Sequence, residues 1–252
     1  MRAQGFVAAV TSGITLALAA CVTQTTAPPP ANNEAASYNV QLGAAYLQQG
    51  NLALAKEKLE RAAGENPNDP NVHSVLALLY ERLQDAKRAD AEFRQALRLA
   101  PKNPEISNNF AGYLCRTNRV DEGVRRLLVA ARDPLYRTPE VAYTNAGVCL
   151  RTAHRDTEAA ANFVRALQVR PNFAEAAFQL GDLELEQGRS ADARARVDRY
   201  VGTYAATPEL LMLGLRASRA LGDRIAAERY ARRLRVDFPD SEQTRALSAN
   251  PG

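Results

Sequence analysis

Few residues of this chain could take part in covalent chemistry, and the three cysteines stand out among them. Cys21 follows an apolar stretch near the N-terminus, whereas Cys115 and Cys149 lie much further along the chain. A cysteine sulfur can accept an acyl group, pair with another cysteine or bind a metal ion. The surroundings of each cysteine in the sequence indicate which chemistry to expect.

Cys21 closes a segment whose composition is typical of an export signal. Arg2 gives the segment a basic start, and Phe6–Ala20 form an apolar run that is too short and too rich in small residues to span a membrane. The end of this run, Leu18–Cys21, resembles the lipobox of bacterial lipoproteins, in which the cysteine is acylated and becomes the mature N-terminus. We therefore predict a lipoprotein signal peptide over residues 1–20 and a covalent lipid on Cys21, in preference to an ordinary secretory signal.

The residues after Cys21 are rich in Thr, Pro and Ala, with three consecutive prolines at Pro28–Pro30. Such a stretch cannot bury a face and favours an extended conformation. We predict a lipidated tether over residues 21–35. By the same resemblance, Val22 in place of Asp after the cysteine is compatible with sorting to the outer membrane, so we expect a protein anchored by lipid at its periplasmic face.

Cys115 and Cys149 are expected to lie on neighbouring helices. Export would place them in an oxidising compartment, where an even pair of cysteines favours a disulfide. A two-residue insertion between them means that they do not occupy equivalent repeat positions, which leaves their geometry open. Two buried free thiols are the alternative to the disulfide.

The rest of the sequence predicts neither catalysis nor a metal site. His73 and His154 are the only histidines; they lie far apart and are expected at the surface, without a Ser/His/Asp set, a phosphate loop or zinc-ligand spacing. The 32 basic and 28 acidic residues nearly balance, so no basic face for nucleic acid is indicated. We expect no enzymatic activity, no cofactor apart from the lipid, no metal, no small-molecule substrate and no nucleic acid partner.

The elements that must position the cysteines recur at a period of 34 residues. Ala55 returns as Ala89, and Pro67 returns as Pro101. This period, with large residues between two helices and alanines where their backbones approach, resembles the tetratricopeptide repeat. The second unit shows the full set: Leu76, Ala77, Tyr80, Ala89, Phe93, Ala96 and Pro101. Its proline cannot continue a helix and is predicted to end the second one, and Asp85 stands where that helix needs an N-cap. We predict an all-α solenoid of about six helix–turn–helix units in a right-handed superhelix over residues 36–245, followed by a disordered tail over 246–252.

The repeat pattern is weakest in the third and sixth units. In the third, Gly123 replaces the usual alanine, and the sixth fits only after a slip of one residue. Between the third and fourth units the period lengthens by two within Ala131–Pro139. This segment is either an insertion tolerated in a loop or a bend that shapes the concave side of the solenoid.

The concave surface of the predicted solenoid is the candidate binding site. By resemblance to the repeat family, it is lined by residues of the first helix of each unit, which form a mixed groove with an apolar strip at its N-terminal end. These residues are Val40, Ala44, Leu47, Asn71, Ser74, Leu78, Asn108, Gly112, Thr144 and Val148. Both extended peptides and helices bind in such grooves, so the conformation of the partner stays open.

Three segments resemble one family more closely than the repeat pattern requires: Asn108–Cys115, Asp133–Val141 and Asn145–Cys149. They look like the third and fourth units of the PilF/PilW family of type IV pilus biogenesis lipoproteins, whose paired cysteines fall at Cys115 and Cys149. This resemblance implies a pilotin, a lipoprotein that helps the secretin reach the outer membrane and assemble there. The alternative is a repeat lipoprotein that scaffolds cell-wall hydrolases or other envelope complexes.

The last predicted helix is basic, because it carries Arg229, Arg232, Arg233 and Arg235. A solvated helix that caps the solenoid and a surface for a partner would both explain these arginines. We favour the solvated cap.

Overall fold

The computed structural model describes residues 32–249. The predicted signal peptide, Cys21 and most of the predicted tether lie outside the described residues, as do residues 250–252. The described part contains thirteen α-helices and no strand. The helices are α1 Asn33–Gln48, α2 Leu52–Glu65, α3 Pro70–Arg82, α4 Ala86–Leu99, α5 Pro104–Arg116, α6 Val120–Ala131, α7 Pro139–Thr152, α8 Asp156–Val169, α9 Ala174–Glu186, α10 Ser190–Thr203, α11 Pro208–Ala220, α12 Arg224–Asp237 and α13 Glu242–Ala249.

The first twelve helices form six hairpins, and α13 packs on the last one. This confirms the predicted all-α repeat fold. Each odd-numbered helix contacts the next odd-numbered helix, whereas no even-numbered helix of the described chain approaches another even-numbered one at the backbone. The odd-numbered helices therefore lie closer together, and we call the side that they line the inner face.

Local signals in the sequence explain where the helices begin and end. Asp85, predicted as an N-cap, accepts a hydrogen bond from the backbone N–H of Arg88 at 3.0 Å. Asn103 caps α5 in the same way, and Pro104 follows it at the first helical position, where a missing N–H has no cost. Gly50 adopts a φ of +77° in the turn between α1 and α2, a conformation that other residues rarely adopt.

In three hairpins a glycine of the first helix lies directly against a large side chain of the second. A Cβ atom at these glycines would lie 2.4–2.6 Å from the nearest side-chain carbon, so only glycine allows the observed approach. The pairs are Gly43 with Leu59, Gly147 with Phe163 and Gly214 with Tyr230. The sixth hairpin, which the sequence made the least regular, thus packs as the first and fourth do.

Two predicted boundaries are wrong by a few residues. α1 begins at Asn33, inside the predicted tether, because the Asn32 side chain accepts the N–H of Ala35 and caps the helix. The predicted tail starts at residue 246, but α13 continues to Ala249 and buries Leu247. Burial of this leucine against α11 and α12 stabilises the helix beyond the predicted end.

Residues 31–252 form one compact unit. The buried apolar side chains of its described residues, from Ala36 to Leu247, pack in four clusters. The described residues therefore hold a core of their own, as a unit that folds by itself requires. None of its described helices is both long and apolar enough to cross a membrane.

Candidate functional site

The first half of the inner face, formed by α1, α3 and α5, is mixed, with partly exposed apolar side chains beside polar ones. Val40, Ala44 and Leu78 are partly exposed there, as the sequence predicted. Leu47 is only 8% exposed, yet it borders a cleft of about 670 Å³ together with Leu78. We call this opening the first cleft.

One ion pair crosses the first cleft from α3 to α5. The Arg116 guanidinium donates two hydrogen bonds to the Glu81 carboxylate, from Nε at 2.6 Å and from Nη2 at 2.8 Å. These contacts raise the pKa of Arg116 above its usual value. Gln48, Arg82 and Gln84 complete the lining beside Leu47 and Leu78. A partner segment in this cleft would therefore meet two leucines, the paired charges of Glu81 and Arg116, and further polar groups at its border.

A second cleft of about 300 Å³ adjoins the first, with Arg116 bordering both. Gly112 and Val148, two of the predicted groove residues, line it beside the disulfide that joins Cys115 to Cys149. The Cα atoms of the two cysteines are 5.4 Å apart, within the usual range for a disulfide. The structure thus contains the pairing that the sequence favoured, and not two free thiols.

The disulfide explains why the third unit has glycine at position 123. A Cβ atom on Gly123 would lie 2.6 Å from Cys115 Sγ and 2.9 Å from the carbonyl oxygen of Ala111. No other residue fits between α5 and α6 unless one of them moves. What reads as a weak repeat in the sequence is therefore a consequence of the close approach of α5, with both its disulfide sulfur and its backbone.

The insertion between the third and fourth units is an ordered part of the core. Seven residues, 132–138, connect α6 to α7, whereas four residues connect the other hairpins to one another. Tyr136 is buried with Leu127 and Ala142, and the N–H of Leu135 donates to Asp133 Oδ1 at 2.8 Å. Neither sequence interpretation of this segment, tolerated loop or bend, predicts that it fills the space between α5, α6 and α7.

The second half of the inner face, formed by α7, α9 and α11, is bridged by charged side chains. Arg151 contacts Asp182 and Glu186 of α9, each at 2.7 Å, and Arg216 of α11 contacts Asp182 at 2.9 Å. We call these four residues the charged ladder. Sequence reasoning missed it, although opposite charges on successive first helices were a signal that could have found it.

Two predicted groove residues do not reach the surface. Ser74 and Thr144 are 4% and 2% exposed, and the Thr144 hydroxyl donates to the carbonyl oxygen of Glu140 at 2.7 Å. Both side chains are buried, so their prediction as groove residues is wrong. Asn71 is exposed, and Asn108 accepts a hydrogen bond from Asn145 of α7 at 3.2 Å.

His73 is not the surface residue that the sequence suggested. Its side chain is 13% exposed, with Nδ1 2.6 Å from Glu92 Oε2 and Nε2 2.8 Å from the carbonyl oxygen of Pro67. It therefore ties α3 to α4 and to the preceding turn, while His154 is exposed. Between residues 32 and 249, no group of three His, Cys, Asp or Glu side chains could hold a metal ion.

Comparison with known sequences places the repeats among characterised families. Two family models, both described as tetratricopeptide repeat, match residues 40–104 and 151–218. The type IV pilus assembly protein PilF of Pseudomonas aeruginosa is 28% identical over 240 residues, which cover 94% of this chain and 95% of that protein. An uncharacterised protein of Haemophilus influenzae is 31% identical over 136 residues, or 54% of this chain and 75% of that protein.

Two solved structures are similar over most of both chains. The crystal structure of PilW, described as a widely conserved type IV pilus biogenesis factor, matches with a TM-score of 0.67 and 30% identity over 85% of this chain and 99% of that one. The Pseudomonas aeruginosa PilF structure matches with a TM-score of 0.64 and 29% identity over 86% of this chain and 97% of that one.

Proposed function

Because this chain belongs to the tetratricopeptide-repeat family, among the relatives of the type IV pilus biogenesis proteins PilF and PilW, we propose that it serves pilus assembly by binding a segment of another protein on its inner face. One observation carries this proposal. The first half of the inner face leaves Val40, Ala44 and Leu78 open beside a cleft large enough for several side chains. Adjacent apolar side chains that stay partly exposed beside a cleft are typical of a surface for a partner.

The proposed partner is the secretin subunit of the pilus machinery. An apolar segment of the secretin would enter the first cleft, where the Glu81–Arg116 pair offers hydrogen-bonding groups at the edge. The charged ladder fills the second half of the inner face with ion pairs that already satisfy one another, so the same segment gains less there. Binding without any catalytic step is the function that this arrangement supports.

Membrane attachment is the second part of the proposal. An acyl group on Cys21 and the Pro-rich residues that follow would hold the folded part at the periplasmic face of the outer membrane, as a pilotin requires. The protein would then carry the bound secretin to the membrane in which it assembles. These residues lie outside the described part of the chain, and the sequence alone supports this step.

The test uses a strain that lacks the gene, complemented with variant chains. Leu78→Glu places a charge in the first cleft, and Val164→Glu, on the outer helix α8, is the matched control. Heat-stable secretin multimers in the outer membrane are the readout. We expect multimers with the wild type and with Val164→Glu, and at least a tenfold loss with Leu78→Glu. A deletion strain with unchanged multimers would contradict the proposal.

The same strains distinguish the secretin from the alternative partner, a cell-wall hydrolase or another envelope enzyme. If the enzyme is the partner, pull-down from envelope extracts recovers it with the wild type but not with Leu78→Glu, and the secretin multimers stay intact in both strains. A Cys21→Ala variant tests the anchor separately, because the proposal expects secretin that is mislocalised or unassembled in that strain.

A further inference from the structure

The outer side of α12 carries an exposed stripe that the binding function does not explain. Ile225 and Val236 are 88% and 71% exposed and belong to the most exposed large apolar side chains of the described chain. Arg229 and Arg232 lie between them. These two arginines and Val236 follow Ile225 by four, seven and eleven residues, spacings that place all four on one face of the helix. We call this face the α12 stripe; it is about 16 Å long.

An arginine-lined cleft of about 400 Å³ opens beside the α12 stripe. Arg219, Arg224 and Arg235 line it above an apolar floor that includes Leu215 and Leu247. Arg235 contacts Glu228, which also lines the cleft, at 3.4 Å. Within residues 32–249, Arg219 and Arg224 have no ion-pair partner, so their guanidinium groups are available to an anion.

The charge of α12 is far from the average of the chain. Its 14 residues include five arginines against Glu228 and Asp237, a net charge of 5 − 2 = +3, whereas the whole chain carries +4. Arg229 and Arg233 contact Asp198 and Asp237, but Arg232, in the middle of the stripe, has no acidic partner in the described part of the chain. Helix α12 thus carries a local positive charge beside exposed aliphatic side chains.

We propose that the α12 stripe and the adjacent cleft bind the surface of an anionic phospholipid bilayer. A helix with basic and aliphatic residues on its exposed face can lie in the membrane interface, where Ile225 and Val236 would contact acyl chains. The guanidinium groups of Arg224, Arg232 and Arg235 would pair with lipid phosphates. The exposed arginines predicted as a solvated cap then have a ligand.

The shape of the stripe favours a bilayer over an acidic protein. Ile225 and Val236 lie at opposite ends of a convex helix face, so they cannot enter one pocket of a partner together, whereas both can touch a planar surface. This inference does not rest on acylation of Cys21 or on secretin binding. If the anchor is present as well, contact through α12 would limit how the tethered protein turns above the membrane.

Vesicle binding of residues 31–252, the compact unit without an acylation site, tests the proposal directly. One set of vesicles contains phosphatidylcholine alone, and in the other about a third is phosphatidylglycerol. We expect at least a tenfold stronger partition into the anionic vesicles and a decrease with added salt, because the guanidinium–phosphate attraction is screened. Equal binding to both vesicles, or binding to neither, would overturn the proposal.

Two pairs of variants locate the surface. Arg224→Glu with Arg232→Glu should lower binding to anionic vesicles at least tenfold, since each basic residue near such a surface contributes about fivefold. Arg125→Glu with Arg132→Glu changes the net charge equally at two exposed arginines that also have no ion pair in the described part of the chain, and it should have a much smaller effect. Equal losses in the two variants would show a general charge effect and reject the α12 stripe as the site.

The aliphatic contribution has its own matched pair. Ile225→Ser with Val236→Ser should weaken binding severalfold, whereas Val129→Ser with Leu135→Ser, at side chains that are 68% and 83% exposed, should not. A polyglutamate peptide is the competing probe. One outcome is that the wild type binds the peptide but no vesicles, and that the Arg224→Glu/Arg232→Glu variant does not bind the peptide. In that case the surface serves an acidic protein and the lipid proposal is wrong.

Discussion

In the first half of the inner face Val40, Ala44 and Leu78 stay open to solvent, whereas in the second half Arg151, Asp182 and Arg216 bridge successive helices. Both halves are built from hairpins of the same kind, whose cores are made of alanine, glycine and large apolar residues. The side chains of the inner face therefore contribute little to forming the hairpins. They can make a binding surface or ties between repeats. In the first half the Glu81–Arg116 pair lies beside partly exposed apolar side chains, whereas in the second half a connected set of ion pairs joins α7, α9 and α11.

The boundary between the halves is the disulfide, and removing it has the largest expected effect. Replacing both cysteines by serine should lower the free energy of unfolding by about 3–4 kcal/mol, because the disulfide closes a loop with a sequence separation of 34 residues. Urea unfolding measures the change, and reduced wild-type protein is the control, with the same stability expected. If the two halves unfold separately in the variant, the disulfide couples them; an unchanged urea midpoint would contradict this role.

Gly123→Ala probes the packing at the same boundary and should cost about 1–3 kcal/mol, because its Cβ would meet Cys115 Sγ and the backbone of Ala111. Gly112→Ala is the matched control on the groove side. Its Cβ would meet only the flexible end of Arg116, at 3.2 Å, so the higher helix propensity of alanine should leave stability equal or slightly higher. Thermal unfolding of both variants tests the difference, and equal losses would mean that the disulfide does not set this packing.

One substitution in each half separates the effect on stability from the effect on binding. Arg151→Ala removes contacts to two carboxylates and should cost about 1–2 kcal/mol in stability while secretin assembly stays normal. Leu78→Glu, on a half-buried side chain, should change stability by less than about 1 kcal/mol while assembly fails. Chemical unfolding and the multimer assay together measure both. A loss of assembly in Arg151→Ala at full stability would move the binding site into the second half.

The smallest effect concerns an outer-face tie in the first half, where Asp90 of α4 contacts Arg119 at the start of α6 at 2.7 Å. Burial tends to raise the pKa of Asp90, but hydrogen bonds from Arg94 and Arg119 outweigh it and hold the pKa below its usual value. A lowered pKa in the folded state means that the contact stabilises above the unfolded pKa and is lost as the pH falls through the folded one. Loss of this contact between pH 5 and 2 should lower the free energy of unfolding of the wild type by less than about 1 kcal/mol, as measured by urea midpoints. In Asp90→Asn this part of the pH dependence should be absent.

The sequence predicted the repeated helical hairpins and the local signals at their ends. The period fixed the all-α fold and the helix-ending prolines, Asp85 was recognised as a cap, and the cysteines were assigned to neighbouring helices. These features depend on residues within one turn or one hairpin. Short-range geometry is the same wherever the motif occurs, so residue type and spacing are sufficient to predict it.

The tertiary structure decided how one repeat meets the next. The sequence did not reveal that Tyr136 fills a core, that Gly123 must make room for α5 and its disulfide, or that Ser74 and Thr144 are buried. Each of these depends on distances of a few ångströms between backbones that are about thirty residues apart in the chain. A shift of one residue in the α6–α7 connection changes which side chains meet, and only the packed chain determines that shift.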